Sequence, residues 1–260
     1  MKKTQALFRK LKNKRLKREI IEIRCGGGLG NRLSTLIGGL EIAKIRNLQP
    51  EVIWKPVHSC YAKATSLFDT SLKFNNFGQN INIIHSNPKI PEYVDLTSTI
   101  QNLLQIKPKK YIIEKVSDFI NRYNIDSNVI GIHIRKTDFV EDIDINFWVD
   151  TVMSNPSKRY FVCSDEEKVE SKFNCFPNVI VHPKKEYVIK RIYDQPWIVK
   201  DYEYKGKLLQ YNVSRSKQSV MEALCDLLIL SHTDIQDTSK YSTFLHLAKY
   251  YKTILDKVMN

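Results

Sequence analysis

The sequence predicts an α/β fold of two Rossmann-like halves whose parallel sheets face a cleft. Near the start, IIEIRC (20–25) reads as a short apolar strand, followed by a glycine turn, a helical run and then EVIWK, a second strand. Beyond residue 127 strands and helices alternate again. Polar groups also gather where apolar strands end, as in VIGIHIRKTDF (129–139), and in open parallel sheets ligands bind beyond the carboxyl ends of strands.

Taken in order, the turn GGGLGNRL leads into LSTLIGGLEIAKIRN, where Leu33, Leu36, Ile37, Leu40 and Ala43 keep a helical period and Gln49-Pro50 marks the stop. Residues 56–110 hold short apolar pieces broken by Asn, Ser, Pro and Lys, with a strand at NINIIH (80–85). The helix YIIEKVSDFINRY (111–123) closes this half. The second half reads as strand VIGIHIR, helix INFWVDTVMS, strand RYFVCSD, helix EEKVESKFNCF and strand NVIVHP. It ends with the apolar helix SVMEALCDLLILSH, a short strand within DIQDTS and the helix YSTFLHLAKYYKTIL. The expected organisation is a tail over 1–19, one half over 20–126 and the other over 127–260.

Charge is unevenly placed. Nine Lys or Arg and one Glu put +8 of the net +13 into residues 1–19, leaving +5 for the rest. Such a stretch suits a basic arm on an anionic membrane or nucleic acid, but its thin apolar stripe suits a solvated, frayed extension better. It has neither the apolar stretch nor the cleavage site of a secretory signal, and no 18-residue apolar run follows, so no transmembrane helix is expected. Five cysteines, an odd number without metal-ligand spacing, argue against a disulfide framework or zinc site and for a reducing compartment.

Strand alternation places His133 and Arg135 on one face, about 6–7 Å apart for an i, i+2 pair, with Ile130, Ile132 and Ile134 on the other. An Arg there suits a phosphate, since its fork gives two charge-assisted hydrogen bonds; Asp138 would hold it or cap the next helix. GGGLGNRL departs from both the Walker A and the dinucleotide patterns, yet its glycines, Gly28 and Gly30 among them, imply close backbone approach at a helix start. Ser164 and Asp165 end another strand, where Asp165 reads more readily as a helix N-cap. Asp226 lies in an almost wholly apolar helix and so needs a partner. Ser242 and Thr243 stand where a helix begins, as caps or as a diphosphate site.

GGLGNRL, HIRKTD, FVCSD, ALCDLLILS and YSTF, in that order, resemble the fucosyltransferase superfamily of GT-B glycosyltransferases. The likeness is nearest to the α1,6-fucosyltransferases of the nodulation type, with related motifs in the α1,2 enzymes, and covers residues 21–45 and 128–250. It implies an inverting transfer of fucose from GDP-fucose to a glycan or glycolipid hydroxyl, with no metal or other cofactor required and no nucleic-acid partner. Arg135 resembles the family arginine on the donor diphosphate and His133 its neighbour. Asp226 resembles the carboxylate that accepts from guanine, and Asp165, Ser242 and Thr243 join the donor site. Gly28, Gly30, Asn31 and Arg32 would face donor or acceptor across the cleft.

The resemblance is imperfect at the catalytic base. The α1,6 enzymes carry Lys after the Asp of HIRKTD and a Glu a few residues on; here those places are Phe139 and about Ile143. Glu141, Asp142 and Asp144 flank the second, making Asp142 or Asp144 the expected base. The short N-terminal half also lacks the accessory regions of larger members. A cytoplasmic location is expected, with residues 1–19 within reach of the inner face of a membrane. Two other readings stay open: a GT-B enzyme using another nucleotide sugar, and a non-catalytic basic protein that binds nucleic acid or polysaccharide.

Overall fold

The computed structural model describes residues 19–75, 83–84, 101–136, 143–190, 202–204, 207–209, 213–239 and 242–259. Its first sheet has the order β3-β2-β1-β4, all parallel, from β1 (Ile20–Arg24), β2 (Gln49–Ile53), β3 (Phe74–Asn75) and β4 (Ile83–Ile84). Pro50 is tolerated inside β2 because β3 pairs with it only from Val52 onward. Between β1 and β2 runs α1 (Leu29–Ile45). It ends before Gln49-Pro50, because Asn47 turns left-handed (φ 51°) and the N–H groups of Leu48 and Asn47 donate to Ala43 O and Lys44 O. Ile83–Ile84 falls within the predicted strand 80–85; the remainder of that strand and the basic segment 1–18 lie outside the described residues.

A second parallel sheet, β8-β5-β6-β7, comprises β5 (Ile130–Ile134), β6 (Tyr160–Ser164), β7 (Val179–Ile180) and β8 (Asp234–Ile235). Its register pairs His133 with Cys163 and Ile134 with Ser164, so Arg135 and Asp165 leave the sheet side by side at one edge. The pleat separates the faces of β5 as predicted. Ile132 and Ile134 pack with Val162, Val169 and Phe173 on one side, and His133 stacks on Phe244 on the other.

The further helices that frame the two sheets are α2 (Lys110–Tyr123), α3 (Ile145–Ser154), α4 (Glu167–Ser171), α5 (Lys217–Leu230) and α6 (Thr243–Met259), besides shorter helical turns elsewhere. Only Glu167–Ser171 of the predicted EEKVESKFNCF helix forms as α4, and turns follow it. α5 is apolar almost all round because α1, α2 and α6 enclose it. One core cluster therefore spans both halves, joining Leu33, Leu36 and Ile37 of α1 to Leu224 and Leu227 of α5 and Leu245 and Ala248 of α6. Each such buried Leu or Ile stabilises by about 1.5–3 kcal/mol. The predicted division at residue 126 falls in the turn between α2 and β5, yet α6 crosses back onto α1.

Candidate functional site

An open cleft lies at the carboxyl ends of β5 and β6, between the start of α1 and the start of α6. Gly28, Gly30, Asn31, His133, Arg135, Asp165, Asp226 and Thr243 all line it, as do Lys184, Tyr187 and Arg215. Thus residues from distant parts of the chain meet where the strand-end argument places a ligand.

The glycine turn forms one wall. Gly27 takes a left-handed conformation (φ 73°), and Gly28 precedes α1 without a side-chain cap, so the first-turn N–H groups keep no cap acceptor. Gly30 permits contact with α6: a Cβ there would stand 2.9 Å from Thr243 Oγ1 and 3.2 Å from Phe244 N. Thr243 Oγ1 donates to Asn31 Oδ1 at 2.8 Å, tying the wall to the second half. Arg215 binds the halves again, its N–H donating to His58 O (2.8 Å) and its carbonyl accepting from Tyr61 N (2.9 Å).

Arg32 departs from the expectation that it faces the ligand. It is 1% exposed, donates from Nε to Gly27 O at 2.8 Å and lies 5.1 Å from the Trp54 ring centroid, outside the cleft lining. Buried at the start of α1, the guanidinium props the turn from beneath. Burial lowers its pKa from the ordinary value, nearby Cys60 and Cys25 opposing.

The strand-end wall is ionic. His133 is buried against Phe244, ring centroids 4.4 Å apart and 20° between planes. Burial first, then Arg135, pushes its pKa down to about 3, so the ring is neutral at physiological pH. Asp165 is not the N-cap of α4; its Oδ1 accepts from Lys136 N at 2.9 Å, bridging the ends of β5 and β6, and Glu166 holds the cap position without a side-chain capping hydrogen bond. Ser242 is buried and accepts from Leu245 N at 3.2 Å as a helix cap, while Thr243 lines the cleft.

Asp226 has internal partners. Its Oδ2 lies 2.8 Å from Lys184 Nζ and its Oδ1 3.1 Å from His182 Nδ1, which donates. Burial raises the carboxyl, but the Lys184 ammonium and the His182 bond outweigh it and hold the pKa below the ordinary value. Lys184 also binds Glu170 Oε1 and, at 2.9 Å, Ser164 O. Glu170 in turn accepts from Ser164 N (2.6 Å) and the Tyr187 hydroxyl (2.5 Å). Burial raises the Glu170 carboxyl with Lys184 opposing, and its three donors identify it as the charged form. Sequence reasoning missed Lys184, Glu170, His182, Tyr187 and Arg215. The strand-end rule applied to VHPKKEY would have found three of them; Glu170 in an acidic run carried no signal.

Of the four predicted catalytic residues, Asp138 and Asp142 lie outside the described residues. Asp144 instead caps α3: it is exposed, and its Oδ1 accepts from Asn146 N (2.9 Å) and Phe147 N (3.2 Å). The cap explains why a carboxylate stands before INFWV. Behind Asp226, the ligand atoms of His182, Glu222 and Cys225 lie within 4.8 Å of one another. Both Glu222 oxygens are already taken, Oε2 by Lys115 Nζ and Oε1 by Gln218 Nε2, each at 2.5 Å, which ties that carboxylate to donors rather than to an ion.

No family model matches the chain, and no curated protein matches it in sequence. Solved structures do match. The fucosyltransferase NodZ from Bradyrhizobium aligns at TM-score 0.61 and 14% identity over 90% of this chain and 93% of that one. NodZ α1,6-fucosyltransferase co-crystallised with GDP aligns at 0.58 and 14%, over 90% and 92%. A point variant of Arabidopsis thaliana FUT1 in complex with GDP aligns at 0.52 and 12%, over 96% and 73%. At this identity the likeness is one of fold: the chain has the Rossmann-like GT-B fold of these fucosyltransferases.

Proposed function

We propose that the chain is an inverting fucosyltransferase moving fucose from GDP-fucose to a hydroxyl of a glycan or glycolipid. The observation that carries this reading is one cleft that holds Arg135 and an uncapped helix start near a buried, ionised Asp226. The first two suit a diphosphate. A carboxylate suits guanine, whose Watson–Crick edge offers two adjacent N–H donors. The likeness to NodZ co-crystallised with GDP supports the same donor class.

In this reaction the acceptor oxygen attacks C1 of fucose as the C1–phosphate oxygen bond breaks, and GDP leaves with the bonding pair. Negative charge grows on the diphosphate, where Arg135 and the first-turn N–H groups of α1 stabilise it. The acceptor proton passes to a carboxylate, and Asp142 is the proposed base, with Asp138 holding Arg135. His133, neutral and stacked on Phe244, offers the donor a hydrogen bond without adding charge. No step needs a metal ion.

A cytoplasmic site belongs to this proposal, with residues 1–19 touching the anionic inner face of a membrane. Among the described residues no helix is long and apolar enough to cross one.

The test is calorimetric titration with GDP, UDP, ADP and GDP-fucose, each with EDTA and then with magnesium. GDP and GDP-fucose should bind in both conditions and UDP and ADP at least tenfold more weakly. Preferential binding of UDP or ADP would replace guanosine with another nucleotide, and silence from all four would sink the donor reading.

A further inference from the structure

Lys184 lies at the cleft with its ammonium almost fully enclosed, its side chain 3% exposed. Its neighbour Lys185 is exposed. An ammonium has three N–H donors, and Lys184 has three acceptors: Asp226 Oδ2, Ser164 O and Glu170 Oε1. No N–H remains for a ligand. Lys184 therefore acts on whatever occupies the cleft through the groups it holds.

Resting on the GDP-donor reading above, we infer that Lys184 is the positioning residue of the base site, clamping Asp226 to Glu170 so that a fixed, charged carboxylate meets a base edge rich in N–H donors. Geometry leaves that edge room. A carboxylate has about four lone-pair positions; Lys184 occupies one on Oδ2 and His182 one on Oδ1, so each oxygen keeps one for guanine N1–H or N2–H. Glu170 is the other jaw of the clamp, fixed by Ser164 N and the Tyr187 hydroxyl. A neutral base-edge acceptor, such as adenine N1, would meet lone pairs instead.

Removing the ammonium leaves two buried carboxylates close together, and like charges at that range force one to keep its proton. Facing Asp226 are His182, Lys184 and Tyr187 from the segment after β7, and Glu170 from α4. His133 of β5, Cys163 of β6 and Cys225 of its own helix complete its surroundings. Lys184 is the permanent cation among these, so without it the Asp226–Glu170 pair holds a shared proton to higher pH. A protonated Asp226 turns an O–H toward guanine N1–H, donor against donor.

The experiment compares GDP and ADP binding by calorimetry from pH 5.5 to 8.5 in the full chain, in Lys184→Met and in the charge-balanced Lys184→Met/Glu170→Gln. The double variant removes one charge of each sign and keeps the question answerable where the single variant does not fold. We expect wild-type GDP affinity to be flat with pH and at least tenfold above that for ADP. In Lys184→Met, GDP affinity should fall at least tenfold at pH 7 and recover as pH rises, and the GDP-to-ADP ratio should shrink toward one. The double variant should lose the ratio without gaining the pH slope. Wild-type ratio and profile in a folded variant would overturn the inference alone, as would an Asp226→Asn chain that binds GDP normally. Absence of GDP binding by the wild type would overturn the donor reading and this inference with it.

Discussion

The two walls of the cleft hold their shape by different physics. On the glycine side, position comes from what is missing: Gly30 lets α1 approach α6, and one neutral bond, Thr243 to Asn31, joins them. On the strand-end side, position comes from charge: Asp226, Glu170 and Lys184 are buried only because each has opposite charges and donors around it. The first wall should therefore fail sterically and ignore pH, whereas the second should fail by charge and respond to it.

Arg135→Ala should break the contrast most severely. It takes a cleft-lining cation from the charged wall, and turnover with GDP-fucose should drop about 10²–10³-fold, the range for losing one transition-state donor. Steady-state assay with donor saturating reads this, and a drop confined to KM would assign Arg135 to ground-state binding.

Gly30→Ala attacks the other wall. Its Cβ would meet Thr243 Oγ1 at 2.9 Å and backbone at 3.2 Å, so α1 and α6 must part. A stability loss of about 1–3 kcal/mol is expected from such overpacking, read by denaturant unfolding, with equal losses at pH 6 and pH 8. A loss that varied with pH would mean the glycine wall is electrostatically coupled to its neighbour.

The finest-grained probe is His133, whose protonation effect is spread over pH on the charged side. The unfolded chain takes up this proton near the ordinary 6.5 and the folded chain only near 3, so between those values the unfolded state binds more protons. Stability must then fall as pH falls through that window, by up to about 1.4 kcal/mol per pH unit from this group. Unfolding of His133→Gln measured from pH 7 to pH 4 should show a shallower decline than wild type; parallel declines would assign the proton to another group.

Much of the fold was legible because its signals are local. IIEIRC, VIGIHIR and RYFVCSD each form a strand, GGGLGNRL a turn into a helix, and INFWVDTVMS a helix. His133, Arg135, Asp165 and Asp226 were legible as site candidates because polar groups at strand ends, or inside an apolar helix, conflict with their surroundings. Asp144 became a base candidate only through its place beside the family's Glu position, and the structure shows it capping α3; a helix cap and a catalytic base look alike in a list of carboxylates.

By itself the sequence determined the alternation of strands and helices and the polar strand ends, since apolar periodicity and turn residues act over a few neighbours. Only the tertiary structure decided which charges are internal. Arg32 turned under its own loop onto Trp54, Lys184 rather than Lys185 entered the core, and Glu170 rather than its acidic neighbours became its partner. The physical reason is that a buried charge is tolerated only where opposite charges and donors converge on it. Here those partners come from α4, α5 and the ends of β6 and β7, segments the chain brings together only by folding.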